Sequence, residues 1–317
     1  AHRDLHLSLR RQRQMCIRDR DYSSLPGWYL DDIRITPTAP KPPAVPFEDS
    51  GKHIGNNNSA GVTLLDFDND GDFDLIENNY EQTYNIIYKN DGNGSLSQYK
   101  SIGKNSTFVL RFADFNNDGF YDAFAGNCKG DIDAPSEQPN EIFINNQGED
   151  FSLHQTVGND ITRDVALGDI DNDGDIDIFV ANIGANSLLI NDGKGNFSES
   201  ETILPGNETT TAVFGDLNND GYIDLVIGNR NGEANRVLLN NGKGTLVDSG
   251  QSLGKYDTTS IALGDIDNDG DIDIVFGTKT LIKIWTNTGQ GKFGFTSDTR
   301  LQARNESYLT NITWDVK

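Results

Sequence analysis

The sequence predicts an all-β protein, a β-propeller of four-stranded antiparallel blades with five full repeats and the start of a sixth. Three observations carry this prediction. One nonapeptide recurs five times: DFDNDGDFD from Asp66, DFNNDGFYD from Asp114, DIDNDGDID from Asp169, DLNNDGYID from Asp216 and DIDNDGDID from Asp265. The starts are 48, 55, 47 and 49 residues apart, and a fixed period near 50 marks one supersecondary unit per motif. Apolar residues come in short bursts, such as 176–181 and 188–190, separated by Gly and Asn. That texture belongs to short strands rather than helices.

Each repeat has the same internal order. An apolar lead-in runs into the Asp loop, which exits into a strand. A turn follows, then a strand ending in Asn, then a Gly-rich hairpin and a polar outer strand. The hairpins read NDGNGSL from Asn90, NDGKGNF from Asn191, NNGKGTL from Asn240 and NTGQGKF from Asn287, with NNQGEDF from Asn145 as the departure. Asn-Gly and Asp-Gly steps supply the positive φ of tight hairpin turns. A single four-stranded meander cannot cover both of its faces, and radial stacking of blades does so while leaving only short edges. Solenoid stacking is the alternative, which four meandering strands per repeat disfavour.

The flanks are read separately. Residues 1–20 hold six Arg and two acids in an otherwise acidic chain. The string RRQRQMCIRDR from Arg10 resembles the translation of a transposase-type sequencing adapter, and residues 1–20 are expected to be an artefact; a basic targeting arm is the other reading. Residues 27–35, GWYLDDIRI, alternate apolar and polar side chains and read as a strand. This stretch resembles the last strand of jelly-roll β-sandwich modules, which makes 21–36 the end of an upstream β-sandwich; an ordinary edge strand is the alternative. Residues 37–46 carry five of the nine prolines and are expected to be an extended linker. The propeller is expected over 47–317. Asp315 lies on the period, so a sixth loop is expected to be cut short there and the native propeller to be larger.

Composition narrows the function classes. The 317 residues include 49 acids and 26 bases, a net charge of −23, which argues against binding a phosphate backbone. No apolar run reaches membrane-spanning length. Cys16 and Cys128 are the only cysteines; no disulfide framework follows from two, and Cys128 reads as a small buried residue. No Ser-His-Asp set, zinc motif or phosphate loop is evident. His53 and His154, the histidines outside residues 1–20, read as surface or turn residues, so the chain is expected not to be an enzyme.

The nonapeptides point to a hard cation. Oxygen side chains at positions 1, 3, 5 and 9, with Gly at 6, suit a tight loop around a divalent ion, and the carbonyl of position 7 adds to the shell. The expected ligands are Asp66, Asp68, Asp70, Asp72 and Asp74; Asp114, Asn116, Asp118, Phe120 and Asp122; Asp169, Asp171, Asp173, Asp175 and Asp177; Asp216, Asn218, Asp220, Tyr222 and Asp224; and Asp265, Asp267, Asp269, Asp271 and Asp273. Position 7 (Asp72, Phe120, Asp175, Tyr222 and Asp271) is expected to act through its backbone carbonyl. Ca²⁺ tolerates such an irregular shell, whereas Mg²⁺ demands a stricter octahedron, so about five Ca²⁺ are expected. Asn116 and Asn218 lower the charge and predict weaker binding in loops two and four. An EF-hand needs Glu at position 12, which only Glu77 of loop one supplies.

The loops and their period resemble FG-GAP/VCBS repeats, the Ca²⁺-binding blades of integrin α-like propellers, over roughly residue 47 to the C-terminus. Phe214-Gly215 is a trace of the Phe-Gly signature, and the pattern is closer to the bacterial VCBS branch than to integrins. The resemblance implies that metal stiffens the blades while ligands bind elsewhere. The expected role is a secreted or cell-surface adhesion or ligand-binding module for an extracellular protein or glycan. The alternatives are a non-catalytic arm of an extracellular hydrolase or lyase, and a structural spacer. The longest turn opposite the Asp loops, residues 128–140 with Asp131, Asp133 and Glu137, is a candidate partner loop, with a neutral insertion as the other reading.

Overall fold

The computed structural model describes residues 15–17 and 53–300, except 56, 81–83, 130–134, 203 and 207. The expectations for the 27–35 strand, the 37–46 linker, Asp131, Asp133 and Asp315 lie outside these residues. So does segment 1–20, apart from β1 (Met15–Ile17), which pairs antiparallel with the first strand of blade one.

All regular elements among the described residues are strands. Blade one comprises β2 (Ser59–Leu65), β3 (Asp74–Asn79), β4 (Asn85–Asn90) and β5 (Leu96–Ile102). Blade two comprises β6 (Thr107–Ala113), β7 (Asp122–Asn127), β8 (Gln138–Asn145) and the first part of β9 (Phe151–Gly168). The rest of β9 opens blade three, followed by β10 (Asp177–Ile183), β11 (Ser187–Asn191) and β12 (Phe197–Glu199). Blade four is β13 (Thr209–Gly215), β14 (Asp224–Asn229), β15 (Arg236–Asn240) and β16 (Leu246–Asp248). Blade five is β17 (Thr258–Gly264), β18 (Asp273–Thr278), β19 (Leu281–Asn287) and β20 (Phe293–Arg300). Sequential strands pair antiparallel within every blade, as the repeat order predicts.

One feature departs from five separate sheets. β9 is 18 residues long and pairs with β8 through one half and β10 through the other, so blades two and three share a seven-stranded sheet. The physical reason is local. The outer strands of blades three and four end in stretches with Pro205 and Gly206, or Gly250 and Gly254, that break the ladder. Between blades two and three the chain has only Gly158, at φ 61°, and stays extended.

The core lies between blades. Alternate residues of a strand point to opposite faces, and both faces of each middle strand are covered. In β10, Ile178 and Val180 join a cluster with Phe115, Phe124 and Ile142 of blade two. Phe179 and Ala181 turn the other way, to Leu225, Ile227 and Leu238 of blade four. Equivalent clusters join blades one and two around Phe67 and Phe112 and blades four and five around Leu217 and Phe276. The first strands also contact in chain order, β2 on β6, β6 on β9, β9 on β13 and β13 on β17. A buried ion pair reinforces them: Arg111 Nη2 of β6 donates to Asp164 Oδ1 of β9 at 2.8 Å. Asp164 Oδ2 accepts the Ala212 N–H of β13 at 3.2 Å. Outer strands are half wet; β16 buries Leu246 and exposes the next two residues.

Phe179 is fully buried and Leu153 is 54% exposed. Phe179→Ala is expected to cost about 3–5 kcal/mol through the cavity it leaves, and Leu153→Ala to stay within about 0.5 kcal/mol of wild type, both read by denaturant unfolding.

Candidate metal centres in the Asp loops

Each Asp loop joins the first two strands of its blade. The Gly at position 6 has φ between 86° and 98°, and the Asn at position 4 lies at φ 58–62°. Asn tolerates that left-handed region and Gly enters it freely. The reversal brings positions 1 and 5 together. Oδ2 of position 1 accepts the N–H of the Gly in all five loops, at 2.9–3.1 Å. In loops two to five, Oδ1 of the same Asp accepts the N–H of position 5 at 3.0–3.1 Å.

Position 9 does something different. Asp74, Asp122, Asp177, Asp224 and Asp273 are almost fully buried, and each carboxylate receives two backbone N–H groups. Oδ2 accepts from position 2 of the same loop, at 2.8–3.0 Å in loops two to five and 3.4 Å in loop one. Oδ1 accepts from the Asn that opens the Gly-rich hairpin, at 2.7–2.8 Å. The ninth residue therefore ties the Asp loop to the hairpin at the same end of the blade.

The hairpin Asn, which the sequence displays but which was not read as part of the site, carries the tie to the next blade. Nδ2 of Asn145, Asn191, Asn240 and Asn287 donates at 2.7–2.9 Å to the position-2 carbonyl of the preceding loop: Phe67, Phe115, Ile170 and Leu217. These hairpins also press on position 3 of that loop. A Cβ on Gly148 would collide with Asp68, and one on Gly244 with Asp171. The position-4 Asn adds a lateral bond, Asn117 Nδ2 to Asp175 Oδ1 at 2.6 Å and Asn219 Nδ2 to Asp271 Oδ1 at 2.8 Å. The position-7 side chains of Asp175 and Asp271 thus serve neighbouring loops.

Three sets of carboxylate oxygens converge within 4.8 Å of one another: Asp66, Asp68 and Asp70; Asp169, Asp171 and Asp177; Asp265, Asp267 and Asp269. Loops two and four do not form such a set. There Asn116 Nδ2 donates to Asp118 Oδ2 at 3.0 Å and Asn218 Nδ2 to Asp220 Oδ2 at 2.9 Å, so the amide occupies the place of a third carboxylate. Asp66 Oδ1 and Asp171 Oδ1 are buried with no hydrogen-bond partner. A buried carboxylate oxygen without a donor is costly, and a cation among these oxygens relieves that cost. The donor set, all hard oxygen, fits a divalent ion.

Burial, partly offset by the backbone N–H bonds and reinforced by the repulsion of neighbouring acids, raises four of the position-9 groups. Asp74, Asp177 and Asp224 are pushed up to about 6 and Asp122 to about 7. Asp171 and Asp267 are also raised, by desolvation and then by Asp173 and Asp269 respectively.

The repeat pattern has a counterpart among known families. The family model described as FG-GAP-like repeat matches residues 66–125, 114–180, 169–227 and 216–276. The chain belongs to the FG-GAP-like repeat family. Each matched stretch runs from one Asp loop through the exit of the next, so the family unit spans a blade boundary and one inter-blade core. No curated protein matches the chain by sequence. Among solved structures, a lectin from Agrocybe aegerita, described for specific recognition of non-reducing terminal N-acetylglucosamine, is 20% identical with a TM-score of 0.51 over 75% of this chain. The FG-GAP chain spans 64% of that lectin. BBS1N, solved in complex with ARL6DN, is 12% identical with a TM-score of 0.52, covering 78% of this chain and 70% of its own. Both likenesses are of fold.

Cys128 is buried, and burial pushes its thiol up. His154 Nε2 lies 2.9 Å from Asn196 Oδ1 on an exposed strand, and His53 is exposed. The base of the 128–140 turn is pinned by a Lys129–Ser136 bridge, and Glu137 accepts a bond from Asn159. Among the described residues no helix is long and apolar enough to cross a membrane, which says nothing of β-barrel spans.

Two predictions follow from this geometry. Asn191→Ala removes the bond to Phe115 and a second to the Ile176 carbonyl, leaving buried carbonyls without their donor; a loss of about 1–3 kcal/mol is expected in denaturant unfolding. The raised position-9 groups hold protons in the folded, metal-free chain that the unfolded chain has already released above about pH 4. Metal-free stability is therefore greatest at and below pH 4 and declines as pH rises through 6 to 7, visible as a falling Tm in chelator.

Proposed function

We propose that the chain is a calcium-stabilised, non-catalytic repeat module, of secreted or cell-surface type, that binds an extracellular protein or glycan. The observation that carries the metal reading is the pair of buried, partnerless oxygens of Asp66 and Asp171 inside converging carboxylate sets. Bound Ca²⁺ supplies positive charge at those oxygens and a cross-link between the two arms of the loop. The residues proposed to hold it are positions 1, 3 and 5 with the position-7 carbonyl. Position 9 adds an oxygen in loop three, where Asp177 lies in the set while also accepting two backbone N–H groups as the other position-9 residues do. Loops one, three and five all carry Asp at positions 1, 3 and 5, and three and five are the strongest candidates because, among the described residues, no lysine pairs with their acids.

The adhesion or binding role is supported by family membership and by the scaffold. The acids of the loops are committed to the loops' own backbone, and the blades present rigid ends from which turns project. A lectin of this fold makes glycans the first ligand class to test. The close resemblance to bacterial VCBS repeats belongs to this reading, as does extracellular placement, where calcium is abundant enough to fill sites of modest affinity.

EDTA is expected to lower Tm and added Ca²⁺ to restore it, with the gain larger at pH 7 than at pH 5, where Asp74, Asp122, Asp177 and Asp224 hold protons. A Tm indifferent to chelation would remove the metal assignment. A glycan array probed with and without chelator tests the ligand: calcium-dependent binding supports a lectin-like module, and turnover of a glycan would replace this reading by an enzyme.

A further inference from the structure

The five Asp loops differ in one side chain that lies outside the nonapeptide. In blades one, two and four the residue just before the hairpin Asn sits beside position 3 of its own loop. In blade two it is Ile144 and in blade four Leu239, each near the same hairpin glycine contact as Asn116 and Asn218. In blades three and five it is Ile190 and Thr286. In blade one it is Lys89, whose ammonium forms an ion pair with Asp68 and lies 3.4 Å from Asp70 Oδ2. Asp68 and Asp70 are two of the three carboxylates of the loop-one set. Among the described residues no Lys or Arg pairs with the acids of loop three or loop five.

We propose that Lys89 is a tethered cation for loop one, so that loop one takes a divalent ion more weakly than loops three and five and is the loop whose occupancy follows the surrounding calcium level. This rests on the calcium reading above. Opposite charges within a few Å lower each other's energy, and an ammonium already paired to two of the ligand carboxylates must be displaced before a divalent ion can use the same oxygens. The lysine is built into the chain, and its local concentration does not fall when the medium is depleted of metal. Loop one therefore has its charge compensated at low calcium, whereas loops three and five do not. The other two loops reach a similar end by different means, since Asn116 and Asn218 remove a carboxylate and donate an amide instead. The five loops thus sort into three classes: open acid sets in three and five, amide-substituted sets in two and four, and a lysine-bridged set in one.

The tests use the full chain and Ca²⁺ itself. Calorimetric titration with Ca²⁺ is run on wild type, Lys89→Met and Lys89→Arg. The aliphatic residues at this place in blades two to four show that Met can be accommodated. Lys89→Met is expected to tighten one class of site by about tenfold or more, and Lys89→Arg to stay near wild type. In chelator, Lys89→Met is expected to lower Tm, because Asp68 and Asp70 lose their compensating charge. A second measurement needs no substitution: amine labelling of Lys89, read by mass spectrometry, is expected to stay constant while the tight sites fill and to rise only at about tenfold higher Ca²⁺. Calcium binding by wild type that is unaltered in Lys89→Met, or labelling of Lys89 that rises with the first sites filled, would overturn the proposal while leaving the calcium reading intact. Absence of calcium binding in wild type would overturn both.

Discussion

A buried carboxylate at the ninth position of each Asp loop holds three pieces of chain in register. One oxygen closes the loop onto its own second residue, and the other fixes the Asn that begins the hairpin. In blades two to five that Asn then extends its side chain to the preceding blade. The arrangement converts a local turn into a joint between blades, since the group that closes the loop also positions the group that crosses the boundary. Buried polar networks of this kind are stabilising only when each member is satisfied, which is why the same residue types recur at the same places in blade after blade.

The opposite end of the blades uses asparagine in a parallel way. Asn79, Asn127, Asn182 and Asn229, at or next to the ends of their strands, bond across the turn that follows. Their partners Asn85 and Asn186 continue to a threonine of the next blade, Thr107 and Thr209. Between the two polar ends lies the apolar filling, in which β10 sends Ile178 to one neighbour and Phe179 to the other. A slip of one residue would exchange these two sets, so loop closure at one end and the asparagine clasp at the other also protect the register of the core. The cost of the design is concentrated charge. Acids crowded at one end repel one another, and the chain offsets this locally with a lysine in loop one and with amides in loops two and four.

Much of this was legible in the sequence. The five DxDxDG-type motifs, their period and the Gly-rich hairpins fixed the number of repeats, the order of strands within each and the end of the blade at which loops and hairpins meet. They could do so because Gly and Asn at φ near 60–100° are local requirements that few other residues meet. The strand-ending Asn was visible as well, at Asn145, Asn191, Asn240 and Asn287, but its purpose was not, because the carbonyl it serves lies 70–78 residues away. The continuous β9 was also missed, because its only signal is the lack of ladder-breaking residues other than Gly158 between blades two and three.

By itself the sequence determined an all-β repeat chain with oxygen-rich loops at fixed intervals, because turn chemistry and strand periodicity are properties of neighbouring residues. Only the tertiary structure decided which of the predicted ligands share a site. It separated the converging sets of loops one, three and five from the amide-bridged loops two and four, bonded every position-9 carboxylate to backbone N–H groups while leaving Asp177 in the loop-three set, and seated Lys89 on Asp68 and Asp70. Those outcomes depend on distances between groups on different strands and blades, which packing sets and which no spacing along the chain encodes.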